Sequence, residues 1–230
     1  MPTPQDAQGH RARLWRKFQS KGLRDAFHHP YEKLEFILTF TIPRADTKPI
    51  ARALLKQFHS LNGVFSAAPH ELETIPGVGP KTAHYLGMFR QLTLAMDEEQ
   101  LSRRSLLKHP DLVKSYLEHE LAWEQSEYLL VLFLDARCRL IHKQRLLRGT
   151  IDRVPHYPRE LATEALAQHA VGVILAHNHP SGDCTPSQSD ITHTHEMREA
   201  LALLEIQLHD HLVVGREGIV SMKDAGLLHA

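Results

Sequence analysis

The chain has very little of several things that would place it in a specialised class. Only two cysteines occur among its 230 residues, Cys138 and Cys184, too few for a disulfide framework and without zinc-ribbon spacing. No apolar run approaches the ~20 residues that span a bilayer. The first residues also lack the apolar core of a signal peptide. We therefore expect a soluble, cytoplasmic protein with no membrane partner.

The net charge is zero, but the charges are unevenly distributed. Residues 1–95 carry 13 Lys and Arg against 7 Asp and Glu, whereas residues 96–230 carry 14 against 20. A basic half followed by an acidic half favours two modules with different partners. Imbalances of this size are also common without such a division.

Short helical patterns follow one another in the basic half. Apolar residues recur at helical spacing over three stretches, residues 10–18, 31–40 and 48–58. Short helices with short connections predict a small all-α domain over residues 9–95. The polar, mixed-charge stretch that follows, residues 96–108, is predicted to be a linker.

A Gly-Val-Gly sequence is the most informative part of the basic half. Gly77 and Gly79 lie between two helical patterns, and Pro80 suits the first turn of the second helix. This arrangement resembles a helix-hairpin-helix element, which holds nucleic-acid phosphates through backbone amides without reading base sequence. The candidate nucleic-acid contacts are Gly77, Gly79, Lys81, Arg11 and Arg13. A hairpin that only packs two helices together is the alternative.

Strand and helix patterns alternate in the acidic half. Residues 127–135 and 171–176 are continuous apolar runs, typical of strands buried on both faces. The other predicted elements are helices over 111–121, 160–169 and from 187 onward, and strands over 139–142, 145–153 and 207–214. This alternation predicts a mixed-sheet α/β domain over residues 109–230.

Two histidines and an aspartate follow the second apolar run with a spacing that suits a metal. His177 and His179 leave the strand two residues apart, so their side chains project to the same side. Asp190 lies in the first turn of the next helix, which Ser187 or a neighbour can cap. Two imidazoles and a carboxylate suit a borderline metal such as Zn²⁺ and leave a fourth position for water. Two surface histidines beside an N-capped helix are the alternative.

A hydrolytic zinc site also needs a carboxylate to accept a proton from the activated water. Glu127 and Glu160 both precede the motif, and sequence spacing does not choose between them.

His209 and His211 flank Asp210 and could form a second metal pair, or be ordinary partners near the first site. A zinc deaminase would need His-x-Glu and Pro-Cys-x-x-Cys, which two distant cysteines do not supply.

Taken together, these motifs resemble the RadC group of the JAB/MPN (JAMM) domains. The resemblance spans nearly the whole chain. Its motifs are Gly9-His10-Arg11-x-Arg13-Leu14, Ile42-Pro43-Arg44-x-Asp46-x-Lys48-Pro49, Gly77-Val78-Gly79, Phe133-Leu134-Asp135, Gly149-Thr150, Pro158-Arg159-Glu160, His177-Asn178-His179-Pro180-Ser181-Gly182 and Asp210-His211. Cys184 departs from the pattern, which has a proline or small residue at that position.

The resemblance implies a C-terminal JAMM/MPN α/β domain with cytidine-deaminase-like layering. It also implies one Zn²⁺ per chain, bound by His177, His179 and Asp190. Glu127 would then be general base and acid, and Ser187 would help to stabilise the oxyanion.

The activity implied is that of a zinc-dependent metallopeptidase, in which water attacks a peptide or isopeptide bond of a peptide or protein substrate. One alternative is a DNA-associated repair or recombination factor that binds DNA through the helix-hairpin-helix element. A binding module with an inert metal site is a third. The sequence leaves the natural substrate and the oligomeric state open.

Overall fold

The computed structural model describes residues 4–147 and 157–228. The chain divides into two compact units, residues 1–92 and residues 93–230. The Gly149-Thr150 motif and the end of the strand predicted over 145–153 lie outside the described residues.

The first unit is all-α, as the sequence predicts. Its helices are α1 (Pro4–Ala26), α2 (Pro30–Leu38), α3 (Thr47–Phe58), α4 (Leu61–Ser66), α5 (Pro69–Leu72) and the start of α6 (Pro80–Arg103). Side-chain caps fix two of the helix starts, because Asp46 accepts from the Lys48 N–H and Ser60 accepts from the Gly63 N–H. The apolar face of α3 then packs with its neighbours around fully buried leucines such as Leu54.

The second unit contains a mixed five-stranded sheet. Its strands are β1 (Tyr128–Leu134), β2 (Leu140–Leu147), β3 (Gly172–Asn178), β4 (Gln207–Val214) and β5 (Ile219–Ser221), in the order β2-β1-β3-β4-β5. Strands β3 and β4 are parallel, and the other neighbouring pairs are antiparallel. This is the mixed α/β sheet that the sequence predicts.

Helices cover both faces of this sheet. A one-turn 3₁₀ helix (Leu106–Lys108) and α7 (Pro110–Leu121) pack on one face, and α8 (Tyr157–Ala167) and α9 (Gln188–Ala202) pack on the other. Each face of the sheet has its own hydrophobic core, and alternate residues of β1 pack into one or the other. Leu130 and Leu132 face α7, whereas Val131 and Phe133 belong to the core of α8 and α9. Burial on both faces explains why β1 and β3 read as continuous apolar runs.

Two details differ from the expectations. Residues 96–108 do not form an extended linker, because α6 continues to Arg103 and both Leu101 and Leu106 are buried in the core of the second unit. The short strands predicted over 139–142 and from 145 are a single strand, β2, as far as the chain is described. Among the described residues, no helix is both long and apolar enough to cross a bilayer.

Candidate metal centre

The sheet brings the predicted metal-binding residues to one point. Antiparallel pairing sets Leu129 of β1 opposite His177 of β3, so Glu127, just before β1, approaches the end of β3. Glu127, His177, His179 and Asp190 each offer one ligand atom, and these four atoms lie within 4.8 Å of one another. Glu160, which is exposed in the first turn of α8, is not part of this group. Of the two carboxylates between which sequence spacing does not choose, Glu127 is therefore the one that lies with the predicted metal-binding residues, and its catalytic role stays a prediction.

Three of the four ligand atoms form a nearly regular triangle. The Nε2 atoms of His177 and His179 are 3.0 Å apart, and Asp190 Oδ2 lies 3.5 Å from the first and 3.4 Å from the second. Atoms bound tetrahedrally to one zinc at about 2.0–2.1 Å are separated by about 3.4 Å. The triangle therefore has the dimensions of a tetrahedral metal site. Glu127 Oε1 lies beside it, 4.0 Å from His179 Nε2.

A main-chain carbonyl fixes the proton of His179. The Nδ1 atom of His179 lies 2.9 Å from the carbonyl oxygen of Asp183, which can only accept. A neutral His179 ring would therefore have its proton on Nδ1, with the Nε2 lone pair directed into the triangle. This is the tautomer that a metal ligand requires.

The helix cap orients the carboxylate. Ser187 is the N-cap of α9, and its N–H and hydroxyl donate to Asp190 Oδ2 over 2.8 and 2.6 Å. Burial raises the pKa of Asp190, but the adjacent His177 ring and the hydrogen bonds that Ser187 donates outweigh this and hold the pKa well below its usual range. Asp190 is therefore an ionised carboxylate, ready to bind a cation. The Ser187 hydroxyl is used here on Asp190, and its oxyanion role stays a prediction.

Asn178 supports the segment that contains Glu127, a structural role that the sequence analysis did not assign. Its side chain is buried, accepts from the Tyr128 N–H over 2.9 Å and donates to the Ser126 carbonyl over 3.0 Å. It therefore holds the backbone on both sides of Glu127. The sequence signal for this role was the position of Asn178 between His177 and His179. Side chains alternate between the two faces of a strand, so the Asn178 amide points away from the two histidines.

The second histidine pair separates into two environments. His211 is buried, and its Nε2 atom lies 2.8 Å from His177 Nδ1, so it is a partner of the first site. His209 lies against Gly172, and burial together with Lys223 lowers its pKa. The ligand group contains neither of them, nor Cys184.

The two glycines of the hairpin in the first unit, Gly77 and Gly79, differ in backbone conformation and in surroundings. Gly77 has φ +93°, and a Cβ atom there would press on the side chain of Ile50. Gly79 does not have a positive φ, and among the described residues no atom beyond its chain neighbours lies within 4 Å of the place that a Cβ would take. Packing and backbone conformation therefore explain Gly77 but not Gly79.

The three predicted cations of the first unit also differ. Arg11 donates to the carbonyls of Ile42 and Pro43 over 2.5 and 2.6 Å, so its guanidinium braces α1 against the segment after α2. Arg13 and Lys81 are exposed. Nucleic-acid contact by these residues stays a prediction.

Comparisons with known proteins agree with this geometry. Residues 107–227 match the RadC-like JAB domain, and residues 48–86 match a SAM-like helix-hairpin-helix tandem. A UPF0758 protein of Bordetella petrii is 41% identical over 231 residues, which cover 99% of this chain and 100% of the relative. The chain therefore belongs to the RadC family, with a RadC-like JAB domain that contains a group of residues able to hold a metal ion.

Proposed function

We propose that this protein is a zinc-dependent hydrolase of the JAMM metallopeptidase type that cleaves a peptide or isopeptide bond of a peptide or protein substrate. The proposal depends on one observation above all, the triangle of two imidazole nitrogens and a carboxylate oxygen beside a second carboxylate. We propose the cytoplasm as its compartment.

The donor set supports zinc as the metal. Two neutral imidazoles and one carboxylate are a common ligand set of catalytic zinc, which leaves a fourth position open. Zinc held in this way acts as a Lewis acid and lowers the pKa of a bound water to about 7. His177, His179 and Asp190 would hold one zinc ion per chain.

Glu127 is the proposed general base and acid. Its carboxylate lies beside the triangle rather than within it, and its side chain is 32% exposed, so it borders both the metal position and solvent. In this position, Glu127 Oε1 can accept a proton from the attacking water and pass it to the leaving amine. Asn178 keeps the backbone around Glu127 in place for both steps.

Ser187 is the proposed oxyanion donor. Its hydroxyl lies 2.6 Å from Asp190 Oδ2, beside the metal position. Rotation of that hydroxyl toward a bound carbonyl would direct its proton at the developing negative charge. The Ser187 N–H would continue to hold the carboxylate.

A pair of matched variants tests this proposal. Glu127→Gln removes the proposed base, and Glu160→Gln makes the same chemical change in α8, outside the ligand group. We expect one zinc per chain in both variants and in the parent, measured by elemental analysis. Hydrolysis of an internally quenched peptide library and an isopeptide-linked lysine library should fall by about 10²–10⁴-fold in Glu127→Gln only. Retained hydrolysis in Glu127→Gln, or a parent unable to bind zinc, would contradict the proposal.

A second candidate function, DNA binding by the first unit, is favoured by the open position at Gly79. In the part of the chain that the structure describes, a methyl group there would contact no atom beyond the chain neighbours, so a glycine is useful if another molecule approaches the backbone. The match to a helix-hairpin-helix tandem supports the same function. Such binding would involve DNA phosphates, with no base-specific contact.

Two Gly→Ala variants of α6 and its N-terminus separate this function from folding. Gly79→Ala adds a methyl group at the hairpin, and Gly87→Ala adds one in open space within α6. We expect binding to a duplex DNA fragment at low salt that weakens with added salt, is reduced by Gly79→Ala and is kept by Gly87→Ala. Absence of binding at low salt would remove this candidate.

A further inference from the structure

We infer that His211 and Thr194 are positioning residues of the metal centre, which fix the proton of His177 on Nδ1 and leave its Nε2 lone pair for the metal. The inference rests on the proposed function, because it assumes that His177 is a zinc ligand. It assigns a role to two residues that do not themselves contact the metal position.

The four residues concerned form a continuous buried chain. His177 Nδ1 lies 2.8 Å from His211 Nε2, and His211 Nδ1 lies 2.6 Å from the Thr194 hydroxyl. That hydroxyl also lies 2.6 Å from the main-chain carbonyl of Asp190, one turn earlier in α9. All four residues are at most 3% exposed. This series of hydrogen-bonded groups begins at one proposed metal ligand, His177, and ends on the backbone of another, Asp190.

The direction of this chain is set at its carbonyl end. A carbonyl oxygen can only accept, and an O···O distance of 2.6 Å is that of a hydrogen bond, so the single Thr194 proton points at Asp190. The remaining neighbour of the hydroxyl, Met222 Sδ at 3.5 Å, is a weak acceptor and cannot donate. Toward His211 the Thr194 oxygen must therefore act as an acceptor.

The same reasoning passes through His211 to the metal ligand. Because Thr194 accepts, the proton of the neutral His211 ring is on Nδ1, and its Nε2 is an acceptor. His177 must then donate from Nδ1, which leaves its Nε2 unprotonated toward His179 and Asp190. An imidazole that binds zinc through Nε2 has this tautomer.

The two histidine ligands thus reach the same state by different routes. His179 is fixed directly by the Asp183 carbonyl, and its side chain is 18% exposed. His177 is fully buried, and it is fixed through a second imidazole and a hydroxyl. The hydrogen bonds that fix His177 connect β3, β4 and α9, the three elements that meet at the centre.

Thr194 allows a test with a matched control on the same helix. Thr194→Val removes the hydroxyl with little change of shape, and Thr194→Ser keeps it. Thr192→Val is the control, because the Thr192 hydroxyl also donates to the carbonyl one turn earlier, that of Gln188, but is exposed. Its loss therefore removes the same kind of hydrogen bond without touching His211.

Two measurements read the effect without any hydrolysis assay. The first is the zinc affinity of the full chain, measured by competition with a chromophoric chelator. The second is the ¹⁵N NMR spectrum of the imidazoles of the zinc-free protein at about pH 8, where an ordinary histidine is neutral. This spectrum identifies which ring nitrogen of His177 has the proton.

We expect the parent, Thr194→Ser and Thr192→Val to have the Nδ1–H tautomer of His177 and similar zinc affinities. Thr194→Val should give a mixture of His177 tautomers and an affinity about 10–100-fold weaker. An Nε2–H tautomer in the parent would overturn the inference even if Thr194→Val failed to fold. An unchanged tautomer and affinity in a folded Thr194→Val would also overturn it. Neither result depends on Glu127, so a failure of the hydrolase proposal is detected separately.

Discussion

The metal centre of the second unit and the glycine hairpin of the first unit use their polar groups in opposite ways. At the centre, a main-chain carbonyl and a helix cap fix side chains so that two imidazole nitrogens and a carboxylate oxygen face one another. At the hairpin, Gly77 is held by packing, whereas Gly79 and Lys81 face open space. One region is organised around side chains, and the other offers exposed backbone.

This difference teaches how each kind of site can be recognised. With the proposed tautomers of His177 and His179, three lone pairs converge, which is costly without a cation, so the proposal predicts a bound cation at the centre. An open glycine is compatible with a ligand but does not require one. The centre therefore makes the stronger prediction, and the hairpin needs a binding measurement to establish its function.

The largest expected effect is the loss of a metal ligand. His179→Ala should weaken zinc binding by more than about 100-fold, since even residues that support ligands contribute 10–100-fold. The control, His195→Ala, changes a histidine of α9 that is outside the ligand group. Zinc at about 100 times its dissociation constant should stabilise the parent and the control by about 2.7 kcal/mol, measured from thermal unfolding. If zinc stabilised His179→Ala as much as the parent, His179 would not be a metal ligand. The contrast between a metal centre and an open hairpin would then fail.

The next effect sharpens the contrast within the hairpin. Gly77→Ala should destabilise the protein by about 1–2 kcal/mol, because an L-residue is strained at φ +93° and its methyl group would press on Ile50. Gly79→Ala should change the free energy of unfolding much less, because its methyl group meets no protein atom. Urea unfolding of the two variants measures the difference. Equal destabilisation would mean that Gly79 also has a packing role.

Much of the centre could be predicted from the sequence because its elements are local. His177 near the end of a buried strand, His179 just after it and Asp190 at a capped helix start put three proposed ligands within fourteen residues. Glu127 could not be chosen from the residues alone, because its approach depends on the pairing of β1 with β3. The role of His211 likewise depends on β4 lying beside β3.

Elsewhere the local patterns were misleading. Residues 96–108 look like a linker because most of them are polar, yet Leu101 and Leu106 are each buried in the core of the second unit. Two leucines in a polar stretch are a weak signal, and only their packing against distant elements makes them structural. Arg11 is a separate case, because its guanidinium donates to two backbone carbonyls while its contact with nucleic acid stays a prediction.

The smallest expected effect concerns a carboxylate that is satisfied without a cation. Asp135 accepts from the N–H groups of Arg137 and Arg139 and from the Arg139 guanidinium. Burial raises the pKa of Asp135, but these hydrogen bonds outweigh it and lower the pKa. Asp135→Asn should destabilise the protein by about 1 kcal/mol at pH 7. Because Asp135 is not one of the proposed metal ligands, Asp135→Asn should leave the zinc affinity unchanged. Competition with a chromophoric chelator, as for the Thr194 variants, measures this affinity.

The pH dependence of this effect follows from the lowered pKa. The folded pKa lies below that of the unfolded chain, so the stabilisation is complete above about pH 4 and is lost as the pH falls through the folded pKa. Urea unfolding of the parent and Asp135→Asn between pH 7 and pH 2 should therefore converge at the acid end. A constant difference across this range would contradict the assignment.

The most direct test of the central claim is an anomalous-scattering map, at the zinc edge, of crystals of the zinc-loaded protein. We expect one peak per chain, about 2.0–2.2 Å from the Nε2 atoms of His177 and His179 and from a carboxylate oxygen of Asp190, with Glu127 outside bonding distance. A peak bound by other residues, or none at stoichiometric zinc, would contradict the account.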